Sequence, residues 1–270
     1  MIAEPYYTDN MVTLFNGDCV EGMSGLAEGL YDLLLTSPPY CVGKEYEEGM
    51  EYGDYLKLLW GFYKEGFRII KKGGYCISIF APYYMSYGAN ARYQPIEYLH
   101  HIIAERAGWV HQTTRIWQKD FATLDDKYSI ASNLPKLEYE FILSLRKPGG
   151  GREKVREQKY HPRALWDTTG FKQKVPALKR HPAAFPEILV RMILEVYSDE
   201  GDTVIDPFSG SGTTLWVAKK MARRSIGWEL DTGYCESARW LLSQQTLLQL
   251  PPEEKAIPEQ ATMSVGETNV

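Results

Sequence analysis

Apolar residues along this chain come in short runs cut apart by glycine, proline and acidic residues, and the runs alternate between strand-like and helix-like spacing. Residues 11–18 predict a short strand ending at Asn16-Gly17-Asp18, Val20 to Leu30 a helix, and Tyr31 to Leu35 a second strand. The polar stretch from Cys41 to Asp54, with Glu45, Glu47, Glu48 and Glu51, predicts a loop. From Asp54 to Ile70, the apolar positions Leu56, Leu59, Trp60, Tyr63, Phe67 and Ile70 recur near the helical period, and Lys71-Lys72-Gly73-Gly74 is expected to stop that helix. Tyr75 to Phe80 predicts a buried strand, 81–98 an irregular loop, and Ile96 to Ala107 a helix.

In the second half, Trp109 to Trp117 alternates as a strand does, and Tyr139 to Arg146 reads as its hairpin partner across a longer connection. Glu187 to Tyr197 is an amphipathic helix, Asp202 to Asp206 a strand, Thr214 to Met221 a helix, Ser225 to Glu229 a strand and Thr232 to Leu250 a last helix. Strand and helix alternate through most of the chain. That predicts an α/β fold with a mixed, mostly parallel sheet, helices on both faces and an antiparallel edge hairpin. One domain over 1–250 is expected, followed by a disordered tail at 251–270, where Pro251-Pro252 and several Glu leave no apolar period.

Composition narrows this picture. Four widely spaced cysteines, Cys19, Cys41, Cys76 and Cys235, form no metal-ligand pattern, so no metal site is expected. No leader-like or membrane-spanning run is legible, so a soluble, cytoplasmic protein with no membrane partner is expected. The formal net charge is −5, yet between Phe141 and Arg180 eleven basic residues face three acidic ones, about +8 locally. Arg152, Lys154, Arg156, Lys159, Arg163, Lys172 and Lys174 lie here, interleaved with Gly149-Gly150-Gly151, Tyr160, Trp166 and Phe171. Cations and aromatic rings on glycine-rich backbone suit a phosphate backbone and unstacked bases, although a solvated charged loop has the same composition.

Two stretches carry candidate chemistry. In Leu35-Thr36-Ser37-Pro38-Pro39-Tyr40 a hydrophobic strand stops at a hydroxyl, two prolines and a ring. Prolines end a strand ladder and leave neighbouring carbonyls available, so this corner offers two acceptors and a stacking face to a planar, amino-bearing ring. Far downstream, Asp206-Pro207-Phe208-Ser209-Gly210-Ser211-Gly212-Thr213-Thr214 is a glycine turn between strand and helix, and Glu229 stands 23 positions after Asp206 at the end of the next strand. This spacing lets a carboxylate meet ribose hydroxyls. The third glycine of a dinucleotide fingerprint and the lysine of a phosphate-binding loop are missing, which favours a nucleoside without a diphosphate. Asp18, at a strand's end, suits either a ligand contact or a helix cap.

Together these stretches resemble the two signature motifs of the β group of DNA amino-methyltransferases, the acceptor corner first and the cofactor loop late. His181-Pro182-x-x-Phe185-Pro186 and Trp117-Gln118-Lys119 also match that group, and the resemblance spans roughly residues 11 to 245. It implies a Rossmann-like methyltransferase fold and S-adenosyl-L-methionine as cofactor. Asp206, Phe208, Gly210, Gly212 and Thr213 would frame the methionine end, Glu229 the ribose and Asp18 the adenine amino group, with Trp228 and Leu230 packing on the adenine ring. Ser37 and the Pro38 carbonyl would accept from the target amino group, with Pro39 holding the corner rigid and Tyr40 stacking on a flipped base. Segments near 81–95, 121–136 and 147–175 would recognise double-stranded DNA. A homodimer and a paired restriction endonuclease are further implied partners. Serine at the corner resembles the cytosine-N4 enzymes; adenine-N6 methylation is the alternative, and a DNA-binding regulator without chemistry a third reading.

Overall fold

The computed structural model describes residues 4–39, 51–85, 92–119, 139–150, 163–169 and 184–244. Among these, one sheet carries β1 (Tyr7–Thr8), β2 (Val12–Asn16), β3 (Tyr31–Thr36), β4 (Ile70–Phe80), β7 (Val110–Gln118), β8 (Tyr139–Arg146), β9 (Leu165–Asp167), β10 (Thr203–Asp206) and β11 (Arg224–Glu229). Its order is β1-β2-β11-β10-β3-β4-β8-β7-β9. Strands β2, β11, β10, β3 and β4 run parallel; β8 is antiparallel to both β4 and β7, the expected hairpin. A separate short hairpin pairs β5 (Tyr83–Met85) with β6 (Arg92–Gln94) where an irregular loop was expected.

Helices cover both faces. On one, α1 (Cys19–Ser24), α2 (Tyr52–Ile69) and α3 (Ile96–Arg106) bury Met23, Leu59, Phe62, Tyr63 and Ala104 against the sheet. Each large apolar side chain so buried contributes roughly 1.5–3 kcal/mol. On the other face, α4 (Glu187–Tyr197), α5 (Thr213–Lys220) and α6 (Thr232–Ser243) bury Leu189, Ile193, Val217, Ala238 and Leu242. The chain therefore leaves β3 through α2 on one face and leaves the adjacent β10 through α5 on the other. Such a reversal opens a crevice beyond the carboxyl ends of the two strands.

Three local expectations are corrected. Helix α1 stops at Ser24, six residues early, because the Arg68 guanidinium takes the Met23 and Leu26 carbonyls, each at 2.8 Å. Lys71-Lys72-Gly73-Gly74 lies inside β4 instead of ending a helix. The orphan carbonyls of α2 are met by Lys147, whose buried ammonium donates to Phe67 O at 2.5 Å and Ile70 O at 2.8 Å. One cation of the basic stretch is thus a structural cap. Near it, Gly149 and Gly150 take positive φ (79° and 73°), and Gly150 packs so closely on the Lys72 carbonyl that a Cβ there would lie 2.5 Å from its oxygen. Within the 147–175 segment, the Lys147 N–H donates to Gly74 O at 2.9 Å, and Trp166 of β9 pairs with Trp117 of β7. The proposed tail and the end of the last helix beyond Gln244 lie outside the described residues.

Candidate active site

A cavity of about 370 Å³ opens beyond β3 and β10, in the crevice where the two connections diverge. Ser37, Pro38 and Pro39 line one wall, and Asp206, Phe208, Gly210 and Thr213 another. Glu229, Trp228 and Asp18 complete it from the ends of β11 and β2. The two motifs, far apart in sequence, therefore share one wall-to-wall space.

The glycine loop owes its shape to its backbone. Gly210 and Gly212 have φ of 52° and 86°, in the left-handed region that side chains disfavour. Gly212 does not line the cavity; a Cβ on it would sit 2.8 Å from Ala238 Cβ, so the lack of a side chain lets α5 and α6 approach. Ser209 ties the loop down, its N–H donating to Trp228 O at 2.9 Å and its hydroxyl to Asp206 O at 2.9 Å.

Glu229 is fixed by two backbone donors, Gly210 N–H to Oε2 and Asp231 N–H to Oε1, both at 2.8 Å. Burial raises its pKa, against those two bonds. Each carboxylate oxygen keeps a second lone pair for a ligand hydroxyl. Asp206 is deeper: burial pushes its pKa up to about 6 and the nearby Glu229 charge adds to the rise, while donors from Thr36, Thr214 and the Phe208 N–H hold it down. Its Oδ1 accepts from Thr36 Oγ1 at 2.6 Å and Phe208 N at 3.2 Å. Thr213 Oγ1, at the start of α5 beside the cavity, is buried with no hydrogen-bond partner among the described residues.

Asp18 is the cap of α1, one of the two roles offered for it. Its Oδ1 accepts from Glu21 N at 2.8 Å, capping α1, and the residue also lines the cavity. Trp228 is almost wholly buried, stacked on Phe15 with ring centroids 5.6 Å apart and planes at 16°, whereas Leu230 at the rim is 70% exposed. Arg163 is exposed just before β9 and does not line the cavity. Tyr40, Arg152, Lys154, Arg156, Lys159, Lys172 and Lys174 lie outside the described residues.

Sequence reasoning missed several wall residues. Leu58 reaches the cavity from α2, Phe185 from the entrance to α4, and Tyr234 from α6. Phe185 sits within a matched motif, yet its contact with Trp117, centroids 6.2 Å apart, is a product of packing. Phe208 meets Phe62 of α2 edge-on at 5.6 Å, anchoring the glycine loop to the other face.

A family model described as DNA methylase matches residues 31–239. The type II methyltransferase M.ScaI of Streptomyces caespitosus is 27% identical over 256 residues, 88% of this chain and 83% of its own. The structure of TTHA0409 from Thermus thermophilus, solved in complex with S-adenosyl-L-methionine, is similar with a TM-score of 0.67 and 27% identity, over 85% of this chain and 92% of that one. The PvuII DNA methyltransferase, cytosine-N4-specific, matches in fold with a TM-score of 0.76 at 20% identity, over 90% of each chain.

Proposed function

The chain belongs to the N6/N4 DNA methylase family, and on that premise we propose that it transfers a methyl group from S-adenosyl-L-methionine to the exocyclic N4 of a cytosine flipped out of duplex DNA. The observation that carries this reading is the shared cavity, with the Ser37-Pro38-Pro39 corner facing the Asp206 to Thr213 loop across the crevice. A DNA methyltransferase needs both substrates within one such space.

The residues suit the cofactor. Glu229 offers acceptors for two ribose hydroxyls, the Thr213 hydroxyl has no partner among the described residues and a polar ligand atom would supply one, and the left-handed glycine loop lets a ligand approach backbone. When bound, the sulfonium supplies an activated methyl carbon. Asp18 is suited to the adenine amino group, with Leu230 and the edge of Trp228 available to the ring.

The chain's own task at the base is to restore nucleophilic character to the amino nitrogen, whose lone pair is delocalised into the ring. The Ser37 hydroxyl and Pro38 carbonyl would accept its two hydrogens and draw them out of plane, with Tyr40 stacking on the base. Electrostatic alignment and in-line positioning then lower the barrier. The hydroxyl could serve the amino group of cytosine or of adenine, and the proposal takes cytosine because serine at the corner resembles the cytosine-N4 enzymes. The basic residues Arg152, Lys154, Arg156, Lys159, Arg163, Lys172 and Lys174 are proposed to contact DNA phosphates. We further propose a cytoplasmic type II modification enzyme with a partner endonuclease, and a homodimer that gel filtration at micromolar concentration would detect.

The test is incubation with labelled S-adenosylmethionine and unmethylated duplex DNA, followed by digestion to nucleosides and mass analysis. Label in N4-methyl-2′-deoxycytidine is expected. Label in N6-methyl-2′-deoxyadenosine would move the assignment to adenine, and absence of transfer to any DNA would overturn both.

A further inference from the structure

The ladder between β3 and β10 pairs Leu33 with Val204 and ends at Leu34 with Ile205. Beyond that pair the two strands run on to Thr36 and Asp206, at the mouth of the crevice. On its other side Thr36 still pairs with Ser78 of β4. Across the opening, a side-chain bond takes over where backbone pairing stops: Thr36 Oγ1 donates to Asp206 Oδ1 at 2.6 Å, with both residues buried. Oδ1 also accepts the Phe208 N–H at 3.2 Å, so one oxygen joins the strand that leads into the acceptor corner to the loop proposed to hold the cofactor.

Valine would match the shape of Thr36 without burying a hydroxyl, so the hydroxyl's presence in a fully buried position calls for a function. Burial favours the proton on Asp206, and a short bond from a hydroxyl to a buried carboxylate is among the stronger ones available to a neutral donor. A shift of under an ångström at residue 36 is carried directly into Ser37, the next residue, and then into two prolines that cannot absorb it by rotating φ.

We propose that Thr36 is a positioning residue for methyl transfer, its hydrogen bond to Asp206 setting the acceptor corner in register with the cofactor loop. This deepens the methyltransferase reading and rests on it. Thr36 touches neither base nor cofactor in this scheme; it acts through Ser37.

The test compares wild type, Thr36→Val and Thr36→Ser in single-turnover methyl transfer and in S-adenosylmethionine affinity. Thr36→Val is expected to slow transfer by at least about tenfold while the cofactor Kd changes by less than about threefold. Thr36→Ser, which keeps the donor, is expected to recover most of the rate. A folded Thr36→Val with wild-type rate overturns the proposal. So does a loss of cofactor affinity that matches the loss of rate, since Thr36 would then serve only the cofactor loop. If Thr36→Val does not fold, Thr36→Cys, with a weak donor, takes its place and the expected loss is smaller but of the same kind. Hydrogen exchange supplies a readout without DNA: the cofactor should slow exchange at the amides of Leu35 to Ser37 in wild type and less so in Thr36→Val. Equal slowing in both overturns the coupling even if wild type were to methylate no DNA, a result that would separately sink the methyltransferase reading.

Discussion

The Gly210 N–H donates to Glu229 Oε2 at 2.8 Å, so the glycine loop after β10 and the acid ending β11 form one hydrogen-bonded unit. With the Asp231 N–H on the other oxygen, the carboxylate cannot turn without losing a bond. Glu229→Gln would keep the shape but point an NH2 group at one of these backbone donors. Opposing the part-buried Gly210 N–H in this way costs about 1–3 kcal/mol. Cofactor affinity, read by calorimetry, should fall roughly 10- to 100-fold, at about 1.4 kcal/mol per decade. Unchanged affinity would remove Glu229 from the ribose site.

Trp228 stacks on Phe15 and packs against α1, where Gly22 leaves no room: a Cβ on Gly22 would lie 1.9 Å from the indole Nε1. Gly22→Ala is expected to displace the ring from its stack. Such overpacking costs typically about 1–3 kcal/mol. Thermal unfolding should drop by several degrees, cofactor affinity should weaken, and tryptophan emission should shift. Retention of both stability and affinity would show that α1 can move aside freely.

Ser37→Ala tests the acceptor itself. The substitution leaves the prolines, Asp206 and the glycine loop in place, so cofactor affinity should stay within about twofold while turnover falls by a factor of about 10² or more. Turnover that survives would mean that the Pro38 carbonyl suffices and that the hydroxyl has no part in the chemistry.

Both motifs were legible because each is contiguous and its chemistry is local: the proline corner and the glycine loop announce themselves within nine residues. The central strands were legible for a similar reason, since Tyr31 to Leu35 and Ser225 to Glu229 are bounded by breakers. What failed depended on remote partners. Lys71 to Gly74 has the composition of a helix stop, yet it lies in β4, and the last carbonyls of α2 are met by remote donors, the Lys147 ammonium, 80 residues from Phe67, and the Gly29 and Leu30 N–H groups. Counting charge could not separate that cation from the exposed Arg163 in the same basic stretch. Strand β9 is three residues long, too short to show alternation, and it exists because Trp166 pairs beside Trp117. Leu58 and Phe185 face the cavity only once helices from both sides close on the crevice.

Acid stability should turn on two buried groups of opposite sign. His100 is fully buried, Nδ1 at 2.8 Å from the Tyr63 hydroxyl and Nε2 at 3.2 Å from that of Tyr55, with Phe80 stacked on it at 4.1 Å. Two hydroxyls satisfy a neutral imidazole, and burial pushes its pKa down from 6.5 to about 3. Between those values the unfolded chain holds a proton that the folded one excludes, so the stability from His100 is present above pH 6.5 and is lost as pH falls toward 3. The slope is at most about 1.4 kcal/mol per pH unit. Asp206 works the other way: its pKa is raised from 3.8 to about 6, so its contribution is present below 3.8 and is lost as pH rises through 6. The two partly cancel across the shared window. His100→Gln, which keeps one donor and one acceptor, should flatten the acid-side loss measured by urea unfolding from about pH 4 to 7. Asp206→Asn should steepen it, because the opposing term is gone while His100 remains. Identical slopes in wild type and His100→Gln would show that the buried imidazole takes up its proton without unfolding the Tyr55-His100-Tyr63 contact, and the acid sensitivity would then belong to other groups.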